Sequence, residues 1–388
     1  MQEQNNFGRS LLSNWYIDPN ITFLNHASFG GAPRIVIESL KRWNEIAERQ
    51  PLQFFLDEYF GLLRERANLL ADFLHTKAEN IVFIENATTG ANTVLNNFIP
   101  LLKPGDEILF TDEVYPAVRN AVIHLNKITK TVHREVKIPL PISDNQEIID
   151  IIGKSFTAQT KLFILDHISS STGIIFPAKE ICELCRNREI YSFVDGAHAP
   201  GTIDLNIEDI NPDWYTGNCH KWLFTPKGCA FLWTKEQNQE ITHPLVISLF
   251  YGQGYLREFD WTGTKNPAPW LSLDIALDFN NSFGKDNIIN YIHNLICEAR
   301  NMICSELNLE IIAPDDMIGS LAAIPLPIKN PNPHEYTFEL RHILLREHNV
   351  EVPFTSLGDV IFVRPSAQIY NEINDYKKLI KALHKLLK

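Results

Sequence analysis

Lys221 sits in Gly217-Asn218-Cys219-His220-Lys221-Trp222, past a short strand pattern and between a histidine and a tryptophan. In that company the ammonium form is disfavoured, and a neutral amine can attack a carbonyl to form a Schiff base. Upstream, an apolar run ends in Asp195-Gly196-Ala197-His198. A carboxyl carried to the end of a buried strand has lost water, and it either seeks a cationic partner or caps a turn. Gly196 and Ala197 leave room above it for something flat. Glu85-Asn86-Ala87-Thr88-Thr89-Gly90 opens a helix. Free N–H groups and hydroxyls there suit a phosphate, or Thr88 or Thr89 serves only as a cap. Tyr115 follows another apolar run, where its ring can stack on a flat ligand or simply pack. Asp166-His167-Ile168-Ser169-Ser170-Ser171-Thr172-Gly173 places hydroxyls beyond a further run, around a ligand or in a hydrogen-bonded turn. An amine, an acid, a phosphate cradle and a stacking ring at one sheet edge are what pyridoxal phosphate requires. The lysine accepts its aldehyde, the acid keeps its ring nitrogen protonated, and the cradle anchors its phosphate.

These residues share an edge only if strands and helices alternate. Apolar runs at residues 81–84, 108–110, 162–165, 191–194 and 230–233 predict buried strands, with helical patterns at 91–98, 117–125 and 178–188 between them. That rhythm predicts an α/β fold, a mostly parallel sheet with helices on both faces and ligands beyond the carboxyl ends of its strands. Helices are also expected at 33–48 and across 55–74. Past residue 270, expected helices at 271–279, 288–307, 335–347 and 372–387 and strands at 321–324, 350–352 and 360–363 describe a smaller α+β domain. The expected division is an N-terminal extension at 1–20, a large domain over 21–268 and a small C-terminal domain over 269–388. The basic amphipathic end, KKLIKALHKLLK, is expected to pack its leucine face on its own domain rather than on a membrane.

The chain has 388 residues, 45% hydrophobic and 21% charged, which excludes a disordered, collagenous or coiled-coil protein. Lys and Arg number 35 against 47 Asp and Glu. The net charge of −12 argues against nucleic acid or an anionic membrane as partner, since both need cationic surface. No apolar stretch approaches the roughly 18 residues that span a bilayer, and residues 1–20 lack a secretory pattern, so a cytoplasmic protein is expected. Cys182 and Cys185 read as buried thiols rather than a metal or redox pair, and no metal site is expected. No Gly-x-Gly-x-x-Gly turn follows an early strand, which argues against a nicotinamide-dependent dehydrogenase.

At its motifs the chain resembles the class V aminotransferase family of fold-type I pyridoxal-phosphate enzymes. Within that family it resembles the isopenicillin N epimerase-like branch, whose relatives include cysteine desulfurases and cysteine/cystine C–S lyases. The carriers are FLNHASFGGAPR (23–34), ENATTGANTVL (85–95), DHISSSTGIIFP (166–177), FVDGAHAPG (193–201), YTGNCHKWLFTPKGCAFLW (215–233), WTGT (261–264) and VRPSAQIYN (363–371). The resemblance implies the fold-type I architecture, a mostly parallel seven-stranded sheet with helices on both faces plus the small C-terminal domain, and pyridoxal 5'-phosphate as cofactor. It implies that Lys221 carries the cofactor as a Schiff base and later moves the substrate's α-proton. Asp195 would pair with the ring nitrogen, and His198 would lie beside the phenolic oxygen together with Ser170; Lys221, His198 and Asp195 are thus the expected catalytic residues. Tyr115 would take the ring-stacking position, where desulfurases carry His. Thr88, Thr89, Asn218 and His220 would hold the phosphate, and Thr264 would reach the phosphate of a neighbouring subunit, which implies a homodimer with shared sites. Arg364 would grip the substrate α-carboxylate with its bidentate fork, the alternative being a strand arginine in an ordinary salt bridge. Asn25 and His26 fall in the segment that lines the substrate entrance in this family.

Two departures bear on the chemistry. Pro365 stands where the family carries a branched aliphatic residue, and it removes a backbone N–H. Desulfurases of the family take the sulfur on a mobile cysteine between the threonine and the arginine. Between Thr264 and Arg364 only Cys297 and Cys304 occur, both on an expected long helix, which disfavours a persulfide-forming desulfurase. The implied activity is Cα deprotonation of an α-amino acid or similar small metabolite, followed by epimerisation or by β-elimination of a sulfur substituent. An aminotransferase is the alternative, and a catalytically silent cofactor-binding protein is a further one.

Overall fold

The computed structural model describes residues 7–388. Seven strands form its central sheet: β1 (Ile81–Ile84), β2 (Glu107–Thr111), β3 (Val132–Val136), β4 (Thr160–Asp166), β5 (Tyr191–Asp195), β6 (Trp214–Asn218) and β7 (Ala230–Thr234). Their order is β1-β7-β6-β5-β4-β2-β3, and all neighbours pair in parallel except β7, which runs antiparallel to both of its own. Strands covered on both faces read as continuous apolar runs, because alternate residues enter two different cores. Phe83 and Leu109 join the core under the helices Tyr59–Leu74 and Ala178–Arg186. Val82, Ile84, Ile108 and Phe110 join the core under the helices Ala87–Phe98 and Pro116–Thr129.

Two strands carry no such run. β3 (VHREV) is the more open of the two sheet edges and buries only Val136. β6 (WYTGN) is buried throughout but polar in letters, because Thr216 Oγ1 donates to the Phe231 carbonyl at 2.9 Å and Asn218 Oδ1 accepts from the Ala87 N–H at 2.9 Å. The helical pattern at 271–279 resolves into Ala268–Leu271 and Leu273–Phe283, the latter packing on the helices Arg34–Arg49 and Tyr59–Leu74.

The smaller C-terminal part is an antiparallel three-stranded sheet in the order Phe354–Leu357, Val360–Val363, Ile324–Leu326. The expected strand at 321–324 lies further on, since Leu321 makes only an isolated bridge to Ser366. The C-terminal helix Ile373–Leu386 buries Leu379 and Leu383 and packs on the helix Lys285–Leu307, which is the face it was expected to use. No described helix is long and apolar enough to cross a membrane.

The N-terminal segment ties the two parts together. Thr22–Phe23 pairs in parallel with Val350–Glu351, and the short helix His26–Phe29 then rests on the one-turn helix Cys219–Trp222 beyond β6. Gly30 makes this approach close. Its φ is +67°, and a Cβ there would lie 2.0 Å from the His220 carbonyl oxygen. Gly30→Ala is therefore expected to destabilise the protein by on the order of 1–3 kcal/mol, read as a lower thermal midpoint. An unchanged midpoint would mean that the segment is not held against the turn bearing Lys221.

Candidate active site

The carboxyl ends of β4, β5 and β6 and the N-terminus of the helix Ala87–Phe98 surround a cavity of about 330 Å³. Lys221 enters it from the turn after β6. That turn is held from behind by His26, whose Nε2 bonds the Lys221 carbonyl at 2.9 Å while Nδ1 meets the Tyr370 hydroxyl at 2.9 Å. The carbonyl can only accept, so His26 carries its proton on Nε2 and takes the tyrosine proton at Nδ1. Burial holds His26 down to a pKa of about 3, so it is neutral. His26 thus stands behind the lysine and outside the cavity lining.

Lys221 Nζ lies 3.0 Å from His198 Nε2, with no carboxylate within 4 Å among the described residues. Burial first and the Arg364 charge second push its pKa down to about 7, against the opposing pull of Asp195 and Asp166. The Trp222 indole N–H faces His198 Nδ1 at 3.5 Å, which leaves the imidazole proton on Nε2, directed at the lysine. Burial, with Lys221 and Arg364 beside it, holds His198 well below its usual range. A neutral amine facing a neutral imidazole is a nucleophile and a proton acceptor.

Two acids close the far end. Asp195 ends β5 and accepts the Ala197 N–H at 3.0 Å. Asp166 ends β4 as its register partner, accepts the Tyr115 N–H at 3.1 Å, and also lines the cavity. Burial raises both carboxyls, and in Asp166 the Asp195 and Glu113 charges raise it further. Neighbouring acids in a dry site cannot both ionise cheaply; Asp166 is raised the further of the two and is the harder to ionise, which leaves Asp195 the readier partner for a cation. Sequence reasoning did not single out Asp166 as a site residue, because its meaning lies in the alignment of two strands. The room expected over Gly196 is taken: a Cβ there would lie 2.1 Å from the Tyr215 hydroxyl, and Ala197 forms the cavity wall instead.

At the opposite end Thr88, Asn218 and His220 line the cavity. No hydrogen bond occupies the Thr88 hydroxyl among the described residues, whereas Thr89 is spent on its cap. Its N–H donates to Asn86 Oδ1 at 2.9 Å, and its hydroxyl lies 3.3 Å from the same oxygen. Thr89 lines a neighbouring cleft with Leu245 and Val246. His220 Nδ1 donates to the Cys229 carbonyl at 3.0 Å. Thr264 is exposed and lies outside the cavity. Tyr115, half exposed, and Ser170 form a side wall. This donor set fits pyridoxal phosphate: an uncharged amine in the middle, an acid at one end, and a helix N-terminus with a free hydroxyl at the other.

Arg364, just past the strand Val360–Val363, is 4% exposed and has no carboxylate within 4 Å among the described residues. Its Nη1 donates to the Ser170 carbonyl and lies 3.4 Å from that residue's hydroxyl. Nη2 reaches the Ser28 hydroxyl at 3.3 Å, and Nε has no partner. Burial lowers its pKa to about 10. The salt-bridged alternative is therefore excluded, and a buried guanidinium without an acid is a site for an anion. Arg364 and Asn25 line a second chamber of about 410 Å³ that shares Ser28, Phe29, Tyr115 and Ser170 with the first. Cys297 and Cys304 are buried on the helix Lys285–Leu307, and burial pushes both thiols up to about 11. Neither lines the cavity.

Residues 52–379 match the family model described as aminotransferase class-V, and the chain belongs to that family. It is 30% identical to the isopenicillin N epimerase of Streptomyces clavuligerus, over 98% of this chain and 97% of that protein. It is 28% identical to a probable chloroplastic L-cysteine desulfhydrase of Arabidopsis thaliana, over 96% and 84%. Among solved structures it superposes on an apo cysteine desulfurase from Thermococcus onnurineus NA1 with a TM-score of 0.80, at 18% identity, covering 100% of this chain and 99% of that one. It also superposes on the cystine C–S lyase C-DES with a TM-score of 0.78, at 21% identity, covering 94% and 97%. The protein is an enzyme of this family, with pyridoxal 5'-phosphate as its cofactor.

Two outcomes follow from this electrostatics. In cofactor-free protein, Schiff-base formation with added pyridoxal phosphate at Lys221, trapped by borohydride, should rise through an inflection near pH 7. An ordinary lysine titrates near ~10.4. Removing the repelling charge in Arg364→Met should move the inflection up, and removing an attracting one in Asp195→Asn should move it down. Asp166→Asn, which keeps the shape of a protonated acid, should leave the thermal midpoint and cofactor retention close to wild type. A large loss of either would mean that Asp166 is ionised.

Proposed function

We propose that the protein is a C–S lyase: it removes the Cα proton of an α-amino acid and expels a sulfur substituent from Cβ. The observation that carries the amino-acid substrate is the buried, acid-free Arg364 in a chamber that shares four wall residues with the Lys221 cavity, and the C–S step is supported by the likeness to L-cysteine desulfhydrases. Such a guanidinium takes the α-carboxylate and presents the amino acid's Cα to the lysine.

Pyridoxal phosphate, when bound, supplies the electron sink that makes a Cα proton removable. Asp195 would be the counter-charge for its ring nitrogen, with Asp166, the harder of the two acids to ionise, beside it. Thr88 and Asn218 would meet the phosphate, and His220 would join them once that charge protonates its Nε2, while Thr89 shapes the helix end through its cap. Tyr115 and Ser170 bound the ring. The neutral Lys221 amine accepts the Cα proton, and His198 keeps it aimed and uncharged. The Cβ–S electron pair leaves with the sulfur, which is protonated as a thiol. The three-carbon remainder takes up one water and leaves as pyruvate and ammonia. No protein thiol is required, in keeping with six buried cysteines.

Epimerisation is a second reading, favoured by the likeness to isopenicillin N epimerase along nearly the whole chain; transamination ranks behind both. The working unit is proposed to be a homodimer in the cytoplasm. Leu245, Val246, Ile247, Leu249 and Tyr251 are all exposed apolar residues in the stretch before Thr264, a surface that a second copy would cover while bringing its Thr264 to the phosphate. The boundaries at residues 20 and 268 are part of the same proposal, with the C-terminal part bringing Arg364 over the cofactor residues.

Incubation with cysteine and S-substituted cysteines in deuterated water separates the readings. Pyruvate with a thiol or sulfide supports the lyase, deuterium uptake with loss of optical purity supports the epimerase, and conversion of the cofactor to its amine form supports a transaminase. Lys221→Ala should abolish all three. Arg364→Met should raise KM for the amino acid by roughly 10–100-fold, the loss of one or two charge-assisted hydrogen bonds.

A further inference from the structure

The second chamber is larger than cysteine needs. Its volume of about 410 Å³ lies beside the cofactor cavity, and pockets of roughly 300–1,000 Å³ enclose ligands of drug size. Arg364 lies beside the strand Phe354–Leu357 on one wall, and one face of the helix Pro333–His348 forms another. His334, Thr337, Phe338 and Arg341 fall at helical spacing on that face. The strand wall is fastened to the cofactor side, since Thr355 Oγ1 donates to the Ser171 carbonyl at 2.9 Å.

The helix wall is uncharged on balance, because Arg341 already pairs with Glu351 at 3.3 Å. A second carboxylate or an ammonium on the substrate would meet a charge that is in use. What the chamber offers instead is aromatic surface: Phe29 is 72% exposed and Phe338 58% exposed, and His334 stands edge-on to Phe338 at 5.7 Å. Rings left open in a cavity bind apolar or flat groups. Cysteine, whose side chain ends one bond beyond Cβ, carries no ring or apolar group to cover them.

We infer that the chamber walled by Phe29, His334 and Phe338 is a subsite for an uncharged, aromatic or similarly flat group carried on the substrate's β-substituent. The substrate is then an S-conjugated amino acid rather than free cysteine. The subsite rests on the amino-acid reading of the Lys221–Arg364 site, and the sulfur link on the C–S lyase reading.

The test uses the full-length holoprotein with L-cysteine and S-benzyl-L-cysteine, and reads loss of the Cα proton in deuterated water by NMR. Every branch of the chemistry shares that step. S-benzyl-L-cysteine should be preferred by roughly tenfold or more in kcat/KM, the scale of burying one ring. Phe338→Ala should collapse that ratio, and its exposed position lets the variant fold. Equal or better exchange from cysteine overturns the subsite, as does a preference that survives Phe338→Ala, or no exchange from the S-benzyl compound. Pyruvate measured in the same tubes reports on the lyase reading alone: selective exchange without pyruvate upholds the subsite and rejects elimination.

Discussion

A lysine amine buried with a guanidinium near it and no carboxylate in contact holds its proton far more weakly than usual, and much of this structure serves to keep Lys221 in that state. Its backbone carbonyl is bonded by His26 from the N-terminal segment, which is braced by Tyr370 from near the C-terminus. Its amine faces His198 from the turn after β5. Gly30 lets the N-terminal segment lie against the turn at a distance that no side chain permits. Stretches far apart in sequence therefore converge on one residue. That convergence explains why the N-terminal segment pairs with Val350–Glu351 and then crosses to the turn beyond β6.

The charges around the amine are arranged in opposition. Arg364 lowers the amine's proton affinity, and the Asp166–Asp195 pair raises it. The acids alone would return the amine to its ammonium form, whereas Arg364 alone would weaken its hold on a proton further. Both are also incomplete: Arg364 lacks an acid and Asp195 lacks a cation. A bound amino acid and a bound cofactor would each complete one of them, so binding relieves the desolvation cost stored in the free protein. The net charge of −12 plays no part in this, since the anions concerned are one phosphate and one carboxylate met by local donors.

Much of the fold is legible in the sequence because buried parallel strands are unbroken apolar runs. β3 and β6 escape that rule, one for lying at an edge and the other for satisfying its polar groups internally. The site is legible where a residue directly follows a strand: Lys221, Asp195, His198, Tyr115, Ser170 and Thr88 all line the cavity. It is obscure where the outcome depends on phase or on register. Thr88 and Thr89 are adjacent letters, yet the helix turns one toward the cavity and commits the other to Asn86. Asp166 gains its meaning only from Asp195 on the next strand. No pattern of letters shows that Arg364 lacks a partner or that His26 faces the lysine carbonyl.

The most direct test of the account is where the cofactor attaches. The cavity holds two lysines, Lys221 and Lys227, and burial lowers the pKa of both, but only Lys221 lies within contact of His198. Holoprotein reduced with borohydride and digested should carry the pyridoxyl group on the peptide containing Lys221. A label on Lys227, or none on either, would contradict it.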